Sequence, residues 1–205
     1  MASTTVDPNS INDIANRLSP LTARLRELIK APRSAPCVVV LDGDAGAGKS
    51  TAAAYYEKEL NAAVVHMDDF FLPAGLRTAA RLSEPGGNVH YERFIAEALP
   101  KLKRREAFSY RVFDCSVMDY RGEREAPAAD LIVVEGAYSL HPKFGGYYDL
   151  AVFCAVSPEA QKSRITARAG ADQFMQFEAK WIPMERRYQQ SCRIRERADL
   201  VLTLG

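Results

Sequence analysis

No apolar run in this 205-residue chain reaches the ~18–20 residues that a membrane-spanning helix requires. Residues 1–10 carry no basic stretch followed by an apolar one, so nothing there reads as a secretory leader. Cysteine is scarce: Cys37, Cys115, Cys154 and Cys192 lie far apart, with no C-x-x-C spacing. Three of the four sit in or beside strand-like apolar runs, where a free thiol acts as a small hydrophobe, and a reducing, cytoplasmic setting is expected. An excess of one charge is also missing. The 27 basic and 26 acidic residues leave +1, without the footprint of a dedicated nucleic-acid binder. Neither internal repeats nor low-complexity segments occur. What remains is a chain of about one domain's length with 47% hydrophobic residues, enough for a sizeable core. The expectation is a single domain over residues 1–205.

From residue 10 to 30, Ile11, Ile14, Leu18, Leu21, Leu25 and Leu28 recur at helical spacing, with Pro20 expected to kink or split the helix. Cys37-Val38-Val39-Val40-Leu41 then reads as a strand buried on both faces. Similar short runs follow at 62–67, 131–134, 150–156 and 200–204, separated by helix-like stretches at 49–60, 91–105, 158–169 and 172–197. That alternation predicts an α/β fold, a parallel sheet flanked by helices. Ser157 and Pro158 suit a helix start, and Gly170 suits its end. Residues 73–89, with Pro85-Gly86-Gly87-Asn88, have turn chemistry and little periodicity, so a long loop or lid is expected there.

Directly after the first strand stands Gly43-Asp44-Ala45-Gly46-Ala47-Gly48-Lys49-Ser50, followed by Thr51 at the start of a helix-like segment. It matches G-x-x-x-x-G-K-[ST] in the strand–loop–helix context that gives the motif its meaning. Glycines let successive N–H groups converge on phosphate oxygens, and the helix terminus adds partial positive charge. Lys49 is placed for the β- and γ-phosphates and Ser50 for Mg²⁺, so ATP with Mg²⁺ is the expected pair.

Acids follow the apolar runs: Asp42, then Asp68 and Asp69, Asp114, and Glu135. Ligands of open α/β sheets lie outside the carboxyl ends of the strands, so these acids are candidates for a metal–nucleotide site with a base beside it. Each is equally readable as a solvated turn residue, and Asp42 as structural. Alternation along an extended chain would send Asp68 and Asp69 to opposite sides. Arg164 and Arg168 share a helical face and could clamp a phosphoryl group, or could form a solvated surface. Arg186, Arg187, Arg193, Arg195 and Arg197, interleaved with Glu185 and Glu196, read as an exposed helix surface.

Taken in order, these motifs resemble the uridine kinase-like branch of P-loop small-molecule kinases, from about residue 37 to the carboxyl terminus. The likeness rests on residues 43–50, on Asp68-Asp69-Phe70-Phe71 in place of Asp-Ser-Phe-Tyr, on 110–114, on Val134-Glu135-Gly136 and on Arg164 with Arg168. It implies a three-layer P-loop fold with a helical lid at 158–172 and a substrate loop at 73–89. By resemblance, Lys49 holds phosphates, and Ser50, Glu135 and Asp68 serve the metal. Asp68 is also the base for the acceptor hydroxyl, and Arg164 and Arg168 close over the phosphates. Asp69, Phe71, His90, Tyr91, Tyr110 and Asp114 fall where the substrate is held. One departure stands out: the family's ribose-gripping Asp-His-Pro segment is replaced by Asn88-Val89-His90-Tyr91.

The expected activity is ATP-dependent phosphorylation of a hydroxyl on a small molecule, with a nucleoside such as uridine or cytidine first. Other acceptors considered are pantothenate, a sugar or a vitamin-like riboside. Neither nucleic acid nor membrane is an expected partner, and a homo-oligomer is left open. A nucleotide switch or accessory ATPase is the competing class. Asp119-Tyr120-Arg121-Gly122 fits D-x-x-G, but the chain has no N-K-x-D segment.

Overall fold

The computed structural model describes residues 8–204, with side chains from residue 13. Five strands form a parallel sheet in the order β2-β5-β1-β6-β7: β1 Cys37–Gly43, β2 Ala63–His66, β5 Leu131–Glu135, β6 Leu150–Ala155 and β7 Leu200–Thr203. In register, Leu41 lies beside Glu135, and Gly43 beside Cys154. The carboxyl end of β1 therefore sits between the ends of β5 and β6. A chain that places β5 between β1 and β2 opens a crevice there, where α/β sheets bind ligands.

Alternation along β1 sorts the core. Val38 and Val40 face one side, against α4 (Tyr91–Glu97) and the 3₁₀ turn Met67–Phe70. Cys37, Val39 and Leu41 face the other, beneath α1 (Pro8–Lys30) and α2 (Lys49–Leu60). With both faces covered, every residue of β1 is buried.

The helix α1 runs through Pro20 without splitting in two. The proline removes one backbone hydrogen bond, at a cost of ~3 kcal/mol. Leu18, Leu21 and Leu25 are fully buried on one stripe, each contributing about 2 kcal/mol, and together they outweigh it. The side chain of Ile11 falls outside the described residues.

Other elements depart from the sequence reading. The stretch 108–114 does not join the main sheet; β3 (Phe108–Asp114) pairs antiparallel with β4 (Asp119–Ala126) in a hairpin. Phe108, Tyr110 and Phe113 are buried while Ser109 and Arg111 are exposed, the alternation of a half-covered strand rather than of a parallel core strand. Helix α4 ends at Glu97, ahead of Pro100, rather than continuing to 105. The loop 73–89 contains a 3₁₀ turn at Ala74–Leu76 and a short helix α3, Ala79–Ser83.

Helix α5 (Pro158–Ala169) is capped as expected, Ser157 Oγ accepting from the Ala160 N–H at 3.2 Å, and it ends at Gly170. The long helix expected at 172–197 is divided into α6 (Ala171–Gln176), a π-helical stretch Phe177–Trp181, α7 (Ile182–Ser191) and α8 (Ile194–Arg197). Pro183, in the first turn of α7, lacks a backbone donor, and the wider π turn upstream accommodates it. Among the described residues no helix is long and apolar enough to cross a membrane.

Candidate active site

Gly43 begins the loop with φ +125°, and a Cβ there would collide with the Cys154 backbone on β6, so only glycine fits. The Asp44 N–H donates to Cys154 O at 2.9 Å, and Asp44 Oδ2 accepts from Val156 N–H at 3.1 Å. Helices α5 and α7 both hold the loop. Gln161 on α5 donates to Ala45 O at 2.9 Å, and Arg164 donates to Gly46 O at 3.1 Å and Leu204 O at 2.7 Å. From α7, Glu185 accepts the Ala45 N–H at 3.0 Å and Gln189 donates to Asp44 Oδ1 at 3.2 Å.

Glu185 is therefore no surface residue, as its place in a charged run suggested, but a buried carboxyl against the loop. Burial pushes it up to about 7, partly opposed by the Lys49 charge and the Ala45 hydrogen bond.

Lys49 Nζ donates to the carbonyls of Gly43 and Asp44 at 2.9 and 2.8 Å. Ser50 Oγ lies 3.2 and 3.1 Å from the two Glu135 carboxylate oxygens, and His66 Nδ1 holds Glu135 at 2.6 Å. Ser50, Glu135 and neighbouring Asp68 offer hard oxygen donors. That set fits Mg²⁺, which takes one or two carboxylates and completes its shell with phosphate and water.

The two adjacent aspartates do part company, but not as an extended chain: both lie in the 3₁₀ turn Met67–Phe70. Asp68 is exposed at the cleft, and desolvation by the surrounding protein together with the Glu135 charge pushes its carboxyl up to about 6. Asp69 is buried on the far side and pairs with Arg124 of β4 at 2.7 Å. Asp42 is structural: buried, it accepts from the N–H groups of Gly43, Tyr138 and Leu140 and from the Tyr188 hydroxyl at 2.7–3.1 Å.

A cleft of about 770 Å³ runs from the P-loop past Asp68. Towards α1 and β7 it is lined by Ile14, Thr51, Arg164 and Leu204. Arg168 also lines it and is exposed. Beyond Asp68 its walls are Phe71, Arg77, Asn88, Phe113, Tyr138 and Trp181.

Several residues expected at the substrate lie elsewhere. Tyr110 is core, its ring stacked on Phe70 at 5.1 Å and its hydroxyl accepting from the His66 N–H at 3.3 Å. His90 is held by the Tyr120 hydroxyl, and Tyr91 donates to Glu84 at 3.1 Å beneath Arg81 and Lys143. Asp114 caps the hairpin turn, accepting from Ser116 N–H at 2.8 Å; β3 is outside the parallel sheet, and Phe113 and Cys115 on either side of Asp114 line the cleft rather than Asp114 itself. Asn88, not His90, faces the cleft.

Neither family models nor curated proteins match the sequence. Solved structures do. A candidate uridine kinase from Bacillus stearothermophilus superposes with a TM-score of 0.67 at 19% identity, over 93% of this chain and 99% of that one. A candidate fructose transport system kinase from Silicibacter sp. TM1040 gives 0.69 at 22% identity, over 90% and 98%. D-glycerate 3-kinase from Cryptococcus neoformans var. grubii gives 0.58 at 17% identity, over 88% of each chain. The chain has the fold of the P-loop small-molecule kinases. In that fold, Asp68 and Lys49 lie on one cleft although 19 positions separate them in sequence.

Proposed function

We propose that this protein is an ATP-dependent kinase that transfers the terminal phosphoryl group to a hydroxyl of a small molecule held in the cleft beyond Asp68. One observation carries the reading: the Asp68 carboxylate opens into the same cleft as the P-loop, Lys49 and Ser50. The loop amides and the amino terminus of α2 bind the phosphates. Lys49 gives up its carbonyl contacts for the terminal phosphates; Ser50 and Glu135 would hold Mg²⁺, which would supply neutralising charge there. Asp68 accepts the proton of the acceptor hydroxyl as its oxygen bonds to phosphorus. The bond from phosphorus to the β-phosphate oxygen breaks, and ADP leaves. Arg164 and Arg168 supply positive charge at the lid. We place this chemistry in the cytoplasm.

The nucleoside expectation has Phe71 and Phe113 as flat apolar walls but lacks the carboxylate for the ribose. The discriminating experiment is ADP release from Mg²⁺–ATP over nucleosides, sugars, hydroxy acids and sugar phosphates. A kinase is nearly silent until an acceptor is added. ADP release that no acceptor raises would instead identify a switch or accessory ATPase.

A further inference from the structure

In the acceptor half of the cleft, two side chains are left with unmet demands. Asn88 is only 4% exposed, fixed by the Leu72 N–H donating to its carbonyl at 2.9 Å, and its Oδ1 has no hydrogen-bond partner. Arg77 donates from Nη1 to Leu72 O at 3.1 Å, while its Nη2 is shielded from water and has no partner. Among the described residues no carboxylate pairs with Arg77; the groups that reach it electrostatically are the Cys115 thiol and the Tyr138 hydroxyl. Arg77, Cys115 and Asp68 line the same cleft. The Trp181 ring stands over Arg77 at 5.5 Å, at the end of the π-helical stretch.

Buried polar groups are nearly always satisfied, and a guanidinium nitrogen shielded from water without a partner is costly. The demands are chemically specific. Arg77 calls for an anion, Asn88 Oδ1 for a hydroxyl or N–H donor, and Asp68 for a hydroxyl to deprotonate. Resting on the kinase reading above, we propose that the acceptor is a small polyhydroxylated anion, whose carboxylate or phosphate displaces Trp181 from Arg77 and whose second hydroxyl donates to Asn88. A neutral nucleoside leaves Arg77 unpaired.

Trp181 is the single tryptophan of the chain, so its fluorescence reports on this site independently of turnover. The full chain is titrated with gluconate, ribose 5-phosphate and uridine, with saturating ADP to fill the P-loop; ADP release from Mg²⁺–ATP is followed separately with the same three. A saturable change with an acid and none with uridine is expected. Response to gluconate alone identifies a carboxylate, to ribose 5-phosphate alone a phosphate; either supports the proposal. Arg77→Met should raise the dissociation constant of the responding acid roughly 10- to 100-fold, the weight of a charged hydrogen bond, and Arg77→Lys less. Asn88→Asp should weaken the acid by repulsion. Two silent acids, or an acid bound equally well by Arg77→Met, would overturn the proposal. Uridine-dependent ADP release untouched in Arg77→Met would overturn it while leaving the kinase reading intact. Arg77-dependent acid binding without any acceptor-dependent ADP release would do the reverse.

Discussion

In the phosphate half of the cleft the loop is held on all sides: Ala45 is bonded at both its N–H and its carbonyl, Gly46 at its carbonyl, and Asp44 through its backbone and its carboxylate. The acceptor half is assembled from the loop 73–89, the β3–β4 hairpin and the π-helical stretch, and it keeps Arg77 and Asn88 atoms unsatisfied. The first is a preorganised electrostatic cradle; the second has its polar groups waiting for a partner. The difference suggests where affinity for a common donor and discrimination among acceptors are separately encoded.

The strongest test of that division is Lys49→Ala, which removes the fixed charge beside the terminal phosphates. Turnover is expected to disappear and Mg²⁺–ATP to bind more weakly by calorimetry, with acceptor binding by Trp181 fluorescence retained. Full turnover with unchanged ATP affinity would break the assignment of the cradle.

Next in size is Asp68→Asn, expected to cut kcat by about 10²–10⁴-fold while ATP still binds. In the unsubstituted protein, kcat/KM should fall about tenfold per pH unit below about 6, because only the deprotonated Asp68 accepts a proton. Asp69→Asn breaks the Arg124 pair and should affect thermal stability more than rate. Parallel kinetics with the two losses exchanged would move the base to the other aspartate.

Arg164 and Arg168 sharpen the comparison further. Arg168→Ala should lower kcat about tenfold with little change in the unfolding temperature, since its side chain is exposed at the cleft. Arg164→Ala, which loses contacts to Gly46 and Leu204, should lower both. Equal effects on both readouts would remove the distinction.

The last test concerns stability alone. The folded chain keeps a proton on Glu185 up to about 7, whereas the unfolded carboxyl releases it near 4.5. The stabilisation is complete below the lower value and is lost as pH rises through the upper, by about 3 kcal/mol. Glu185→Gln should flatten that decline in unfolding temperature between these pH values; an unchanged slope would place the titrating group elsewhere, Asp68 having the same sign.

The parallel sheet and the cradle were legible in the sequence because both are local: continuous apolar runs declare buried strands, and a phosphate loop is backbone geometry written as glycine spacing. The acceptor wall was not. Tyr110 and Tyr91 are aromatic for packing, and nothing local distinguishes them from Phe71 and Phe113. The strand at 108–114 alternates, and reading its apolar residues as a core run put Asp114 at the end of a sheet strand, whereas it caps a hairpin turn. Arg77 and Asn88 lie 11 positions apart in a loop without periodicity, and only the folded chain brings them to one wall. Glu185 was hidden among surface-like charges because its partner, Ala45, is 140 positions away.

The π-helical stretch Phe177–Trp181 also makes chain length itself a determinant. A π turn is an α-helix carrying one extra residue, and each residue of an α-helix advances the face by about 100°. Deleting a single residue such as Ala179 would restore an ordinary helical phase yet rotate everything downstream. Glu185 would swing off Ala45, Tyr188 off Asp42, and Trp181 off Arg77, with no side chain that touches ligand replaced. In this segment spacing acts as a gear ratio, coupling the angle at which α7 meets the phosphate loop to the angle at which Trp181 covers Arg77.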